Sequence, residues 1–117
     1  MREINIGKKR FTKVVCMDEP GAGGACHVYI VDPLAWDGES CSFARVRFQE
    51  GPVKENGVSG CHQEDLIAIV IDRLQHFQKG EYACRENALA LVKLEEALHW
   101  LNYRTDSRIA HGVEGTN

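Results

Sequence analysis

The feature that most constrains the fold is a stripe of leucines in the C-terminal part of the chain. Its positions follow one another at spacings of 4, 3, 4 and 3 residues, and they are Asn87, Leu91, Leu94, Leu98 and Leu101. This heptad spacing places the stripe along one side of an α-helix, and a second helix must cover it. We therefore expect a helix from about Cys84 to about Ala110, before Gly112, together with a helical partner.

The partner helix is predicted directly upstream, after Gly60. Apolar residues recur there at helical spacing, and they are Leu66, Val70, Leu74 and Phe77, with Ile67 and Ile71 widening the stripe. Glu64 and Asp65 carry the negative charge that a first helical turn favours, and His62 with Glu64 flanks the helix start as a cap. Gly80 ends the helix. Two long helices joined by a short turn form an antiparallel hairpin.

The residues before Gly60 have a different pattern, with short β-branched or alternating stretches between turn-rich loops. They predict strands at residues 3–6, 11–16, 27–31 and 42–48, and loops at residues 18–25 and 32–39. In the last strand Phe43, Arg45 and Arg47 point to one side, while the residues between them point to the other. The glycine-rich run 21–24 leads into a strand rather than a helix, which argues against a dinucleotide-binding loop.

These patterns predict an α+β fold, in which a small N-terminal antiparallel β-sheet is followed by a long antiparallel α-helical hairpin. The length of 117 residues fits a single domain, with a β-rich part at residues 1–60 and the hairpin at residues 61–117. The longest uncharged apolar run, residues 66–71, is too short to cross a bilayer. We expect a cytosolic protein without a membrane partner.

The net charge and the spacing of the cysteines disfavour several classes of function. The 14 basic and 17 acidic residues give a net charge of −3, which disfavours DNA or RNA as a partner but permits a local pocket for a small anion. The five cysteines are odd in number, widely spaced and without a CxxC pair, so we expect free thiols rather than a zinc ribbon. Cys84 beside Arg85 is a conceivable nucleophile, but no histidine is tied to it, and catalysis is disfavoured. No metal-ligand spacing occurs among the five histidines.

Asn87 interrupts the leucine stripe, and two interpretations stay open. A polar seam residue can specify register or oligomeric state. Alternatively, Phe77 at the end of the first helix lies close to Asn87 at the start of the second. An aromatic ring can stack on a base for about 1–3 kcal/mol, and an amide can pair with an adenine edge in bidentate fashion. Free amides at residues 83–86 favour a nearby phosphate, whereas core packing is the simpler role for Phe77.

Arg104 and Arg108 are four residues apart and share a helix face. They either favour the helix C-terminus electrostatically or clamp a pyrophosphate. Asn87 and Arg104 are 17 residues apart, about 25 Å along a helix, too far to hold one small nucleotide within one chain. A shared ligand therefore requires a second protomer. Apolar residues expected on the outside favour such a homodimer, and they are Ile67, Val92 and Trp100.

Five segments of the chain form a recognisable set, namely GVSG at 57–60, EDLIAIV at 64–70, ACRENA at 83–88, WLN with RT at 100–105 and GVEGT at 112–116. In these segments the chain resembles the hairpin of phage-encoded Thoeris anti-defence sponges. The similarity covers residues 43 to 116 and extends more loosely over the β-rich part. The anti-CBASS sponges share the hairpin but lack the N-terminal sheet.

The resemblance implies a non-enzymatic protein that acts in the host bacterial cytoplasm. In Thoeris defence a TIR enzyme converts NAD into glycocyclic ADP-ribose, which activates a lethal effector, and the sponge binds this signal and leaves it intact. The family's pocket lies between two protomers. Its stacking phenylalanine, adenine-facing asparagine and phosphate-facing arginine correspond to Phe77, Asn87 and Arg104, and Arg108 extends the same face. No cofactor or metal is implied.

The resemblance also implies a second site. Some members assemble as hexamers and bind cyclic oligonucleotides between the hairpin turns, where Arg85 is the candidate contact. Tyr82 replaces a phenylalanine that relatives often carry, which bears on that second site. Three alternatives remain: a sponge for CBASS cyclic di- or trinucleotides, an enzyme that cleaves the signal through Cys84, and a hairpin that binds a protein partner.

Overall fold

The computed structural model describes residues 1–35 and 41–110 of the chain. In that part of the chain the strands are β1 (Arg2–Glu3), β2 (Thr12–Cys16), β3 (Val28–Pro33) and β4 (Ala44–Arg47), and the α-helices are α1 (Val53–Asn56), α2 (Gln63–Gln78) and α3 (Arg85–Ala110). The predicted α+β class, with an antiparallel sheet followed by two long helices, is confirmed. The loop predicted at 32–39 lies partly outside the described residues, and the segment 112–116 lies wholly outside them.

The chain forms two compact units, one of residues 1–61 and one that begins at His62. The first unit is a four-stranded antiparallel meander in the order β1-β2-β3-β4. All four predicted strands are present, but β1 is Arg2–Glu3 rather than residues 3–6. The backbone turns at Gly7, where φ is +80°, and this left-handed conformation carries the chain out of the sheet before β2.

The alternation predicted for the last strand is present in β4 and the residue after it. Val46 and Phe48 are half-buried, whereas Arg45 and Arg47 are exposed. Phe48 packs edge-to-face against Tyr29 of the adjacent strand, with ring centroids 5.8 Å apart. The two-residue period therefore gives β4 one packed face and one charged, solvent-facing side.

After the four-residue helix α1, which is too short for periodicity to predict, the chain returns to the end of β4. Phe48 and Cys61 form a parallel bridge, and the Cys61 N–H donates to the Arg47 carbonyl at 2.8 Å. Gly60 makes this return possible, because a Cβ at that position would lie 2.4 Å from the Phe48 carbonyl carbon. The sequence pattern changes near Gly60. In the structure this residue makes a close backbone contact with Phe48 and lies at the end of the sheet unit.

In the second unit, α2 and α3 form the expected hairpin. The half-buried positions along α3 include all five predicted seam residues and continue at the same spacing to Thr105. On α2 the packed face contains Ile67, Ile71 and Leu74, of which Ile71 is buried. The prediction that Val70 belongs to the central stripe is wrong, since its side chain is 44% exposed. A face at 67, 71 and 74 has the 4-3 spacing that matches the heptad of α3, and this spacing turns Val70 outward.

The two helices differ in length. α2 has 16 residues and α3 has 26, so α3 is longer by ten residues, about 15 Å. In an antiparallel hairpin with a short turn, these extra residues extend beyond the first turn of α2. The α2 start is fixed by Asp65, whose carboxylate accepts the His62 backbone N–H at 2.9 Å; His62 is the N-cap as expected, but Asp65 rather than Glu64 supplies the carboxylate. None of the helices in the described residues is long and apolar enough to cross a membrane.

Replacing Gly60 with alanine should destabilise the sheet unit. The added methyl group meets backbone atoms of Phe48 that cannot rotate away, so we expect a loss of about 1–3 kcal/mol in the free energy of unfolding. Chemical denaturation followed by circular dichroism measures it. Gly80→Ala is the matched control, because a Cβ there meets nothing within 4 Å. Equal effects of the two substitutions would contradict the close approach at Gly60.

Candidate functional site

The turn between α2 and α3 is held by one side chain that the sequence pattern did not single out. The Gln78 amide nitrogen donates to the Cys84 carbonyl at 3.0 Å, and its oxygen accepts the Cys84 backbone N–H at 3.0 Å. This double hydrogen bond closes the turn across the five residues between Gln78 and Cys84. No periodicity signals such a clamp, because it depends on the distance between two helix ends.

Cys84 caps the second helix. Its sulfur accepts the backbone N–H of Asn87 at 3.4 Å, in the position where a serine or threonine oxygen usually satisfies an N-terminal amide. The thiol is exposed rather than packed in a core. The geometry therefore gives Cys84 a structural role at the start of α3.

Phe77 is half-buried near the end of α2, with two polar or aromatic neighbours. The Tyr82 ring lies edge-to-face against it at a centroid distance of 6.0 Å. The Arg73 guanidinium, one helical turn earlier, lies over the Phe77 ring with Cζ 4.9 Å from its centroid, a cation–π arrangement. Arg73 was not predicted as a site residue, although its i, i+4 spacing to Phe77 could have indicated this contact.

Asn87 is connected to the same turn. Its side-chain Nδ2 donates to the Tyr82 carbonyl at 3.2 Å. An amide NH₂ has two hydrogens and the amide oxygen has two lone pairs, so this bond leaves one N–H and the Oδ1 atom for another partner. Those are the two groups that a bidentate contact with an adenine edge uses. Phe77, Tyr82 and Asn87 thus form a cluster at the turn, and we call these three residues the turn cluster.

The predicted basic residues lie elsewhere. Arg104 is exposed and Arg108 is half-buried near the C-terminal end of α3, and Arg108 interacts with another group. Seventeen residues separate Asn87 from Arg104, about 25 Å along the helix. Within one chain, Phe77 and Asn87 thus share Tyr82 as a neighbour, whereas both arginines lie far along α3 from Asn87. Arg85 is exposed at the first position of α3, beside the turn.

The hairpin also carries large apolar side chains on its outside. Val92 and Trp100 are 58% and 59% exposed, as expected, and Tyr103 packs against Trp100 with ring centroids 6.0 Å apart. Ile67 was predicted to be exposed as well, and this is wrong because it is half-buried in the packed face of α2. An exposed Val and two exposed aromatics on one helix are typical of an interaction surface.

The sheet unit has a concavity of its own, of about 520 Å³. Arg2, Lys13 and Asp32 contribute polar groups to its lining, together with apolar side chains of β2 and β3. None of the predicted site residues lines it. The candidate site in the hairpin is therefore a surface at the turn rather than this cavity.

The chain thus combines a four-stranded meander with a two-helix hairpin whose turn is closed by Gln78. The sequence model of the Acb2/Tad1 hairpin domain matches residues 42–106. This segment is more than half of the chain, and the chain belongs to the Acb2/Tad1 hairpin family. The match includes the turn cluster and Arg104, whereas Arg108 lies just past its end.

The chain is also similar in sequence to a phage protein. The protein named Thoeris anti-defense 1, from Bacillus phage SBSphiJ7, is 62% identical over 74 residues. That region is 63% of this chain and 52% of the phage protein. The chain thus spans about half the length of the curated relative that it matches.

Substituting Gln78 tests the clamp. Gln78→Ala removes two hydrogen bonds to the Cys84 backbone, and we expect the hairpin to lose about 1–3 kcal/mol in its free energy of unfolding. Urea denaturation measures the loss. Gln75→Ala, an exposed position in the same helix, is the control with the same change in helix propensity. A loss no larger than that of Gln75→Ala would show that the clamp contributes nothing.

Proposed function

We propose that the chain is a phage anti-defence protein that inhibits bacterial Thoeris defence by sequestering glycocyclic ADP-ribose. Membership of the Acb2/Tad1 hairpin family supports the anti-defence role, and so does the name of the similar phage protein, Thoeris anti-defense 1. The site of action is the host bacterial cytoplasm, where a TIR enzyme produces the signal. The protein binds the signal and leaves its bonds unchanged.

The turn cluster is the observation that carries the ligand assignment. An aromatic ring stands beside an amide that retains one N–H and one oxygen for a partner. An adenine needs these two features, a π-face on which to stack and a donor–acceptor pair for its edge. Arg73 over the Phe77 ring adds positive charge beside the base. The phosphates of the same nucleotide can then lie near the first amides of α3.

The distal phosphate contacts require a second copy of the chain. Arg104 stands about 25 Å from Asn87, on the part of α3 that extends beyond α2. In an antiparallel homodimer this end of one protomer lies beside the turn cluster of its partner, which gives two equivalent pockets by symmetry. Arg104 binds phosphate there, and Arg108 supports the same face. Val92 and Trp100 supply exposed apolar surface for the association.

The sponge mechanism needs no reacting group. The thiol nearest to the turn cluster, Cys84, accepts a backbone hydrogen bond as the cap of α3. Binding then derives from stacking, amide pairing and charge-assisted hydrogen bonds, and release returns the same molecule.

Capture and release tests this mechanism. The purified protein is incubated with glycocyclic ADP-ribose, freed of unbound ligand and denatured by heat, and the supernatant is analysed by mass spectrometry and chromatography. Recovery of the intact signal supports a sponge. Recovery of a cleaved product would establish an enzyme, and Cys84→Ala would then show whether the thiol is responsible. No retention and no product would overturn the proposal, and the cyclic oligonucleotides would be tested next. A chain that retained neither ligand would be a hairpin that binds a protein partner.

Removing the stacking ring should weaken binding without dissolving the dimer. Phe77→Ala loses a base-stacking contact of about 1–3 kcal/mol, so we expect an affinity roughly 10- to 100-fold lower by calorimetry. Phe43→Ala, which removes an exposed ring from the sheet unit, is the control and should bind normally. Unchanged affinity of Phe77→Ala would exclude the turn cluster as the adenine site.

Mixing two inactive variants tests whether protomers share the pocket. Phe77→Ala and Arg104→Ala should each bind poorly alone. After joint unfolding and refolding, a mixed dimer combines the intact Phe77 of one chain with the intact Arg104 of the other, so about a quarter of the pockets should recover full affinity. A pocket built within one chain would recover none. A control experiment uses Lys93→Ala in place of Arg104→Ala. Lys93 is an exposed residue on the same helix and controls for the loss of a basic side chain.

A second candidate ligand class is the cyclic oligonucleotides of CBASS defence. The exposed Arg85 at the start of α3 favours it, because a basic side chain beside free helix amides attracts phosphate. Arg85→Glu should reduce binding of a cyclic trinucleotide and leave glycocyclic ADP-ribose binding nearly unchanged. Direct competition between the two ligands distinguishes one shared site from two separate sites.

A further inference from the structure

The sheet unit buries an unusual set of side chains. Among its described residues the buried ones are Cys16, Cys26 and His27, which are 0%, 8% and 5% exposed. None is a large aliphatic residue of the kind that usually fills a small core. Units of this size rarely stabilise themselves through a hydrophobic core alone, and disulfides or structural metals often compensate.

The two buried thiols lie close to a carboxylate. The Sγ atoms of Cys16 and Cys26 and a carboxylate oxygen of Asp18 all lie within 4.8 Å of one another. Cys16 ends β2, Asp18 stands at the start of the following loop, and Cys26 precedes β3. In a tetrahedral zinc site with Zn–S bonds of about 2.3 Å, two sulfur ligands are about 3.8 Å apart. The three side chains therefore need only small rotations to reach ligand distances.

His27 provides an independent observation. Its Nδ1 atom is buried and has no hydrogen-bond partner, and it lies 3.9 Å from Asp18 Oδ2. Leaving a buried ring nitrogen unsatisfied costs about 1–3 kcal/mol. The neutral imidazole nitrogen has a lone pair that suits zinc. The unpaired atom lies next to Asp18 but outside the group formed by the two sulfurs and that carboxylate, so the His27 ring must rotate to supply a fourth ligand.

We propose that Cys16, Asp18, Cys26 and His27 bind one structural Zn²⁺ ion in tetrahedral geometry. Thiolate, imidazole and carboxylate are the ligands that structural zinc takes. The nine residues between the two cysteines do not match a CxxC spacing, which is why the sequence carries no signal of this site. The turn at residues 18–25 folds back and brings both ends of that segment together.

The charges around the cluster balance when the ion is bound. Two thiolates and one carboxylate carry three negative charges against two on zinc, which leaves one negative charge. The Arg2 guanidinium lies 3.9 Å from the Cys26 sulfur and compensates it. Metal binding replaces the two thiol protons, which pass to the solvent. Without metal, burial raises the pKa of the Cys16 thiol, so that it stays protonated and donates to the Asp18 carbonyl.

The Asp18 carboxylate is held in the orientation that a ligand needs. It accepts the backbone N–H groups of His27 and Val28 at 3.0 to 3.1 Å. Burial alone would raise the pKa of Asp18, but these N–H donors lower it below the usual value. The group is thus ionised at neutral pH and fixed by hydrogen bonds outside the metal's own shell, as zinc carboxylates commonly are. A bound ion would join the end of β2 to the start of β3.

Cobalt substitution tests the site. Under reducing conditions and without chelators, Co²⁺ titrated into the full chain should bind at one ion per chain. We expect a thiolate-to-cobalt charge-transfer band and the visible absorption of tetrahedral cobalt, both abolished by Zn²⁺. Cys26→Ser should remove the charge-transfer band, and His27→Gln should weaken binding by about 10- to 100-fold or more. Cys61→Ser and Cys84→Ser are the controls and should leave the spectrum unchanged.

A second measurement on the unmodified chain covers the case in which Cys26→Ser fails to fold. Zn²⁺ should slow alkylation of Cys16 and Cys26, located by peptide mass spectrometry, while the exposed Cys41 and Cys84 react at unchanged rates. Absence of cobalt binding, a charge-transfer band that survives in Cys26→Ser, or equal alkylation with and without zinc would each overturn the proposal. The proposal would also be overturned if Cys16 and Cys26 formed a disulfide and the chain bound no metal after that disulfide was reduced.

Discussion

The packing of α2 against α3 is the interaction on which the hairpin depends. A 4-3 face on α2, at Ile67, Ile71 and Leu74, meets the heptad face of α3. Apolar burial along this seam offsets the entropy of ordering 42 helical residues. Because the seam sets the position of both helix ends, it also decides where Phe77 and Asn87 stand. The turn cluster exists because the packed faces of the two helices are in register.

The hairpin was largely predictable from the sequence, since heptad spacing reports a helix face directly. The spacing from Asn87 to Leu101 predicted α3 within about a residue at its start, and Gly80 indicated the end of α2. The error at Val70 has a physical reason: a stripe six residues wide on α2 is compatible with two neighbouring faces. Only the partner helix determines which one is packed. The strand β1 and the helix α1 are too short for the periodicity of their apolar residues to predict them.

The site was predictable only in part. Proximity of Phe77 and Asn87 followed from the hairpin topology, but the atoms that organise the turn did not. Gln78 bonds to a backbone across the turn, and Arg73 reaches the Phe77 ring through its own side-chain conformation. The Cys16, Asp18, Cys26 and His27 cluster is further from prediction, since its residues approach through a loop with no regular spacing. Residues that a loop brings into contact have no regular spacing in the sequence, so periodicity does not predict the contact.

The hydrogen bonds at the turn have a consequence for how the protein can change. Gln78 bonds to the backbone of Cys84, and Asn87 bonds to the backbone carbonyl of Tyr82. Neither bond depends on which side chain occupies the residue that it contacts. The five residues 79–83 can therefore exchange side chains while the two helices keep their separation and register. Substitutions at this tip therefore change the surface that the hairpin presents and leave both sets of backbone hydrogen bonds in place.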